Sequence, residues 1–238
     1  MAETMEPIRT EALRDVPHGF FGRESDSVGE TPFGPEGEVV LPGAELVLLR
    51  QTHSPQAIIA TEPWHHADRP EGDALATREP GLLLGIVTAD CAPVLLADSE
   101  NGVVGAAHAG WKGALHGVTD AAIVAMERLG ANRSKIKAAI GPCIAQPSYE
   151  VDNDFGNAFL TADRRNARFF RQGKAGKPHF DLEGYVMARL VQAGIATVEA
   201  TRRDTYAEEE RFHSYRRDTH RGIVCEGRQV SLIGLPTA

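Results

Sequence analysis

Three side chains with metal-binding chemistry stand beside apolar segments of this 238-residue chain. His53 follows "AELVLLRQT", Cys91 follows "GIVTAD", and His108 follows "VVGAA". Two imidazoles and one thiolate suit Zn²⁺ in a tetrahedral site, and three protein ligands leave the fourth position open for water or substrate. Cu²⁺ accepts the same donors. The sequence therefore predicts a catalytic metal site, with Zn²⁺ or Cu²⁺ held at the ends of strands that meet at one sheet edge.

The residues around this predicted site favour a reaction centre. The segment "GAAHAGWKG" places small residues on both sides of His108, which leaves space for a group to approach the ring. Asp90 adjoins Cys91, and a carboxylate behind a ligand imidazole fixes the orientation of that ring. Asp73 lies in the glycine-flanked "EGDALAT", where it would either bond substrate hydroxyls or cap a turn. We predict catalytic roles for all four residues.

Four arginines are candidates for binding an anionic substrate. Arg23 follows "FFG", Arg50 precedes "QTHS", and Arg216 and Arg217 are consecutive in "FHSYRRD". A guanidinium group binds phosphate through a planar fork of N–H donors. We predict that these arginines lie around the metal site and bind an anionic or sugar-bearing substrate.

Other functions use the same residues. Cys91 with His108 as its base would make a cysteine hydrolase, although that mechanism leaves His53 without a role. A non-catalytic binding protein is another alternative. A blue-copper oxidase is disfavoured, because such enzymes use paired His-x-His ligands and none of the nine histidines forms such a pair.

Composition excludes several classes of protein. The formal charge of −8 argues against nucleic-acid and anionic-membrane partners, since both require a basic face. The sequence contains no signal-peptide core and no bilayer-spanning stretch, so we expect a cytoplasmic protein. Three cysteines do not form a disulfide framework, and we predict a structural role for Cys143 and none for Cys225. We expect one domain over residues 1–238 and a monomer.

Hydrophobic patterning predicts how these residues are positioned. Short, almost purely apolar runs are typical of fully buried strands, and a 3.6-residue spacing indicates helices. We predict strands at 46–49, 56–61, 82–87, 94–98, 103–108, 134–142, 196–200, 212–215 and 230–233. We predict helices at 113–130, 152–163 and 181–194, and loops at 22–43 and 62–81. Because this order lacks a strict βαβα rhythm, we predict an α+β fold with mixed sheets flanked by helices.

Several of these segments together resemble a known family. They are "QTHS", "GDALAT", "GIVTADCAPVLLAD", "GAAHAGWKGAL", "AAIGPCI", "YEV" and "RFHSYRRDTHRG". In order and spacing they resemble the multicopper polyphenol oxidase or laccase-domain family, whose members are also described as YfiH-type purine nucleoside phosphorylases. The resemblance covers nearly the whole chain and implies a single layered domain of α and β structure.

The resemblance also implies a site and a reaction. Its metal ligands correspond to His53, Cys91 and His108, the same set that the residue types indicate. The implied reaction is phosphorolysis of adenosine, inosine, guanosine or methylthioadenosine to the base and a sugar 1-phosphate, with adenosine deamination as a companion activity. The leaving base must accept a proton, which Asp73 or Asp90 would supply. Removal of wrongly built cell-wall precursors is also associated with bacterial relatives.

Overall fold

The computed structural model describes residues 6–23 and 33–237. Within these residues the chain forms twelve strands and six α-helices. The strands are β1 His18–Phe20, β2 Glu45–Val47, β3 Ala57–Ile59, β4 Ala74–Thr77, β5 Leu82–Thr88, β6 Ala92–Asp98, β7 Val103–Ala109, β8 Lys137–Ile140, β9 Phe170–Arg171, β10 His179–Phe180, β11 Thr197–Ala200 and β12 Gln229–Gly234. The helices are α1 Gly34–Val40, α2 Trp111–His116, α3 Val118–Arg128, α4 Asn153–Ala162, α5 Leu182–Gln192 and α6 Tyr215–Arg221.

The strands form two main sheets and a short ribbon. The four-stranded sheet has the order β1-β12-β5-β2, and the six-stranded sheet has the order β11-β8-β6-β7-β4-β3. Both are mixed: β2 pairs with β5 in parallel and β12 pairs with β5 antiparallel, while β3–β4 and β8–β11 are the parallel pairs of the larger sheet. The predicted α+β fold with mixed sheets is therefore confirmed.

The two sheets pack face to face, which explains the apolar character of β5 and β6. Leu84 and Ile86 of β5 share a buried cluster with Leu95 of β6. The alternate residue Leu83 faces the other way and packs against Val40 of α1. Because side chains alternate along a strand, a strand that is covered on both faces must be apolar at every position.

The outer face of the six-stranded sheet is covered by helices. In α3, Ala122, Ile123 and Met126 are buried against this sheet. A Cβ atom at Gly105 of β7 would lie 2.8 Å from the Met126 sulfur, so glycine at 105 allows the helix to approach closely. Burying a side chain the size of Ile123 or Met126 stabilises the fold by roughly 1.5–3 kcal/mol.

Two predicted loops contain regular structure. The predicted loop at 62–81 includes β4, a fully buried strand between β3 and β7. The predicted loop at 22–43 includes α1, and its residues 24–32 lie outside the described part of the chain. Both predictions were wrong because they gave more weight to glycine and proline than to the short apolar runs. In the fold, strand pairing and burial determine the secondary structure of these segments.

Two further predictions need correction. The predicted helix at 113–130 is divided into α2 and α3 at Gly117, whose φ of +92° favours glycine. The predicted strand at 212–215 is a loop that leads into α6. There the Ser214 hydroxyl accepts a hydrogen bond from the Arg217 amide and caps the helix.

Among residues 6–23 and 33–237, no helix combines the length and apolar character that crossing a bilayer requires.

Candidate metal centre and active site

The three predicted metal ligands lie where the two sheets meet. His53 is in the loop between β2 of the four-stranded sheet and β3 of the six-stranded sheet. Cys91 lies in the turn through which the chain passes from β5 of the smaller sheet to β6 of the larger one. His108 is inside β7 and pairs with Pro93 of β6. The ligands thus come from the junction of two sheets, which corrects the expectation of one sheet edge.

The three side chains are close enough to share one ion. One ligand atom from each residue lies within 4.8 Å of the others, and the Cys91 Sγ is 3.8 Å from the His53 Nε2. The imidazole centroids of His53 and His108 are 4.7 Å apart, with an angle of 70° between the rings. Metal–ligand bonds of 2.0–2.3 Å in a tetrahedron place neighbouring ligand atoms about 3.5 Å apart. The donor set and its spacing therefore fit Zn²⁺ or a similar divalent ion.

Gly110 provides the space that these ligands occupy. A Cβ atom at this position would lie 2.7 Å from the His53 Cδ2 and 3.0 Å from the Cys91 Sγ. Real Cβ atoms almost never approach another atom this closely. The small residues around His108 therefore serve the centre, since any larger residue at 110 would displace both His53 and Cys91.

Asp73 holds the His108 imidazole and the backbone of the His53 loop. Its carboxylate accepts a hydrogen bond from the His108 Nδ1 at 2.7 Å, and the His108 amide donates to its carbonyl, also at 2.7 Å. The same carboxylate accepts the His53 amide at 3.0 Å and the Ser54 amide at 2.7 Å. With Nδ1 engaged, Nε2 is the nitrogen through which His108 can bind a metal. His53 itself has a φ of +60°, a conformation uncommon outside glycine, and the Asp73 bonds stabilise it there.

Asp90 faces a different part of the site. Its carboxylate accepts hydrogen bonds from the Thr205 hydroxyl at 2.6 Å, the Ser214 hydroxyl at 3.0 Å and the Arg216 amide at 2.7 Å. The prediction that Asp90 orients a ligand imidazole was wrong, and Asp73 performs that role. Asp90 instead connects the Cys91 turn to the N-terminus of α6.

The buried charges in this centre stabilise one another. Burial raises the pKa of the Cys91 thiol, but His108 and His53 outweigh it and lower that pKa to about 6. Burial likewise lowers the pKa of His108, while Cys91 and Asp73 raise it to about 9. Burial opposes ionisation of Asp73 as well, yet its bonds with His108 and Ser54 hold that pKa well below the usual range. In the metal-free protein, thiolate, imidazolium and carboxylate therefore coexist near neutral pH, and the thiolate is the form that binds metal.

The centre opens into a cavity of about 740 Å³, a volume typical of small-molecule sites. Of the four predicted arginines, Arg50 and Arg216 line this cavity. Arg69 and Arg228 also line it, and sequence reasoning did not find them. The other lining residues include Gln51, Thr88, Trp111, Ile144, Tyr149, Leu182 and Tyr215.

The other two predicted arginines lie elsewhere. The described residues that line the cavity include neither Arg23 nor Arg217. Arg217 is buried and donates to the carbonyl oxygens of Thr205, Tyr206 and Phe212. The Arg23 guanidinium donates to the Glu209 carbonyl at 3.1 Å. Arg217 thus supports the chain around α6, and neither position agrees with the predicted contact with substrate.

Tyr149 is one of the aromatic residues of the cavity that sequence reasoning missed. It follows the single 3₁₀ turn Gln146–Ser148 and lines the cavity. The Arg216 guanidinium lies over its ring, 5.2 Å from the centroid. Its position in the "YEV" segment was a signal only through the family resemblance, because nothing in its spacing relates it to the metal ligands. The Cys143 side chain is buried, as expected of a structural residue.

Comparison with known proteins assigns the chain to a family. The sequence model of the family described as multi-copper polyphenol oxidoreductase laccase matches residues 36–236. The chain belongs to this family. The match confirms the resemblance carried by the motifs around the three metal ligands.

Relatives within the laccase-like family carry two activity names. A protein of Deinococcus radiodurans named purine nucleoside phosphorylase is 42% identical over 190 residues, which are 79% of this chain and 69% of that protein. A protein from an unknown prokaryotic organism named adenosine deaminase is 37% identical over 183 residues, which are 73% of this chain and 70% of that protein. The crystal structure of the Bacillus licheniformis protein YfiH matches with a TM-score of 0.86 and 26% identity, covering 99% of this chain and 98% of that one. These names support an enzyme.

Proposed function

We propose that this protein is a metal-dependent purine nucleoside phosphorylase with a companion adenosine deaminase activity. Its substrates would be adenosine, inosine, guanosine or methylthioadenosine together with phosphate, and its products the free base and a sugar 1-phosphate. The observation that carries the proposal is the His53–Cys91–His108 cluster, which lines the same cavity as several arginines. The activities named for two relatives, purine nucleoside phosphorylase and adenosine deaminase, support the choice of reactions.

In this proposal three side chains of the protein would bind the metal ion. His53 and His108 would offer Nε2, and Cys91 would offer a thiolate. A bound divalent ion with one open position supplies Lewis-acid chemistry and lowers the pKa of a coordinated water. Asp73 keeps His108 in the required orientation and tautomer.

The remaining residues of the cavity would bind the two substrates. Aromatic side chains such as Trp111 and Tyr215 offer apolar surface for a purine, and Arg216 offers a guanidinium for phosphate. Asp73 and Asp90 are buried, and both accept several hydrogen bonds from the protein. We therefore revise the expectation that either of them protonates the leaving base, and we assign both a positioning role.

The test is chromatography of adenosine incubated with the metal-loaded protein, with and without phosphate. Phosphate-dependent release of adenine identifies phosphorolysis, and inosine identifies deamination. Retention of metal without either product would contradict the proposal and favour a binding or cell-wall-editing role.

The Cys91→Ala variant tests the metal dependence. Because it removes one of three ligands, we expect loss of bound zinc and a fall of more than about 100-fold in both activities, larger than the roughly 10- to 100-fold loss typical of removing a ligand's hydrogen-bond partner. Metal analysis of the purified variant and wild type measures the first effect. A cysteine hydrolase would behave differently: thiol alkylation would inactivate it, and removal of metal by a chelator would leave its activity unchanged.

A further inference from the structure

Tyr149 has a rigid ring. Its aromatic neighbours Phe155 and Phe180 make edge contacts with it, at centroid distances of 5.8 Å and 6.0 Å. The Arg216 guanidinium covers the ring at 5.2 Å. A side chain restrained from several directions presents its polar end in one place, as a binding group requires.

The Tyr149 hydroxyl is not engaged by the part of the protein that the structure describes. Among residues 6–23 and 33–237, no group hydrogen-bonds to its hydroxyl. The hydroxyls of two other tyrosines do have partners: Tyr206 bonds to the His220 Nδ1 at 3.0 Å, and Tyr185 accepts from Arg189 at 3.5 Å. Burial and the nearby Cys91 raise the pKa of Tyr149, so its hydroxyl remains a donor at neutral pH. A restrained donor that borders a cavity is available to a ligand.

Arg216 is the second available donor at this position. Its Nη1 donates to the Glu150 carbonyl at 2.5 Å, and its amide is held by Asp90. Among the described residues no carboxylate lies within 4.0 Å of its guanidinium, whereas Arg50 pairs with Glu71 at 3.4 Å. The positive charge of Arg216 is therefore not neutralised by a side chain in the described part of the protein.

We propose that the Tyr149 hydroxyl and the Arg216 guanidinium together form the phosphate subsite of the cavity. Both donors border the cavity that the candidate metal ligands also line. The Arg216 guanidinium lies over the ring that carries the Tyr149 hydroxyl, 5.2 Å from its centroid. A tetrahedral oxyanion can accept hydrogen bonds from a neutral hydroxyl and a guanidinium at the same time, and bonds to a charged acceptor are the stronger kind. Identifying the anion as phosphate rests on the proposed phosphorylase function.

The Tyr149→Phe variant tests this subsite. It removes only the hydroxyl and keeps the ring that packs against Phe155, Phe180 and Arg216. We expect the KM for phosphate in adenosine phosphorolysis to rise about ten-fold or more, the effect of losing a hydrogen bond to a charged group. The metal content should match wild type, and deamination of adenosine without phosphate should fall by less than phosphorolysis does. Tyr206→Phe is the matched control, because its hydroxyl bonds to His220, and we expect an unchanged phosphate KM.

A second measurement does not depend on catalysis. Inorganic phosphate is titrated into metal-loaded wild type and Tyr149→Phe by calorimetry, and the variant should bind phosphate about ten-fold more weakly. If wild type cleaves no nucleoside, the phosphorylase proposal fails, and the titration still decides the subsite. Equal phosphate affinity in both proteins, or an equal loss of phosphorolysis and deamination in the variant, would overturn the assignment of Tyr149.

Discussion

The two buried carboxylates Asp73 and Asp90 have different roles in this protein. Asp73 accepts hydrogen bonds from the His108 ring and from the amides of the His53 loop, and so it organises the metal ligands. Asp90 accepts hydrogen bonds from Thr205, Ser214 and Arg216, and so it organises the arginine side of the cavity. The difference shows that proximity along the chain does not determine a residue's role, because the aspartate next to Cys91 is the one that contacts the Arg216 side of the cavity.

The division follows from the folding topology. Asp73 precedes β4, and β4 pairs with β7 in a register that sets Ala74 opposite Ala107. This pairing brings the Asp73 side chain to the neighbouring His108. Asp90 has a φ of +84°, an uncommon conformation outside glycine, so the chain turns sharply just before Cys91. Its bonds to the α6 region stabilise that turn.

The largest expected effect is on the Asp73 side. Asp73→Asn places an amide NH₂ group among N–H and O–H donors, and it removes the charge opposite His108. We expect the affinity for zinc to fall about 10- to 100-fold, as for other partners of metal-ligating histidines. Competition with a chromophoric chelator measures this affinity.

Asp98→Asn is the matched control for Asp73→Asn. Asp98 is fully buried at the opposite end of β6 from Cys91, and it accepts bonds from Asn101 and Asn132. We expect it to lower the unfolding free energy and leave zinc affinity unchanged. An equal loss of zinc in both variants would mean that general destabilisation, and not the position of Asp73, explains the effect.

A smaller and different effect is expected on the Asp90 side. Asp90→Asn weakens the bonds to Ser214 and Arg216, so the Arg216 guanidinium is held less firmly. We expect the KM for phosphate to rise about three- to ten-fold, with zinc affinity within about two-fold of wild type. Steady-state kinetics and chelator competition measure the two quantities. Loss of zinc comparable to that of Asp73→Asn would contradict the distinction between the two carboxylates.

The smallest expected effect concerns acid stability and sharpens the account of Asp73. Its pKa lies well below the ordinary value of 3.8, so the unfolded chain takes up a proton at a higher pH than the folded protein does. The stability from this carboxylate is fully present above about pH 5 and declines as the pH falls below about 4. The difference in unfolding free energy between chelator-treated wild type and Asp73→Asn should therefore become smaller as the pH falls below about 4. Urea titrations at a series of pH values measure this difference. A difference that stays constant down to about pH 2 would show that the Asp73 pKa is not lowered.

Much of the fold follows from local pattern. The apolar runs at β5 and β6 and the helical spacing of α4 and α5 predict these elements close to their observed bounds. The errors fall where local signals are weak. β4 is only four residues long and follows a stretch rich in proline and glycine, so its burial between two other strands could not be inferred from its own residues.

By itself, the sequence determined the chemistry of the centre, because residue type and neighbouring apolar strands suffice to nominate His53, Cys91 and His108. Tertiary structure decided which groups serve them. Sheet pairing brought Asp73 to His108, and the path of the chain into α6 brought Arg216 to Tyr149. The same path of the chain turned the side chain of the adjacent Arg217 toward the backbone carbonyls of Thr205 and Phe212. These contacts join residues that are far apart in the sequence, and they form only when the whole chain packs. The spacing of residues along the sequence therefore does not predict them.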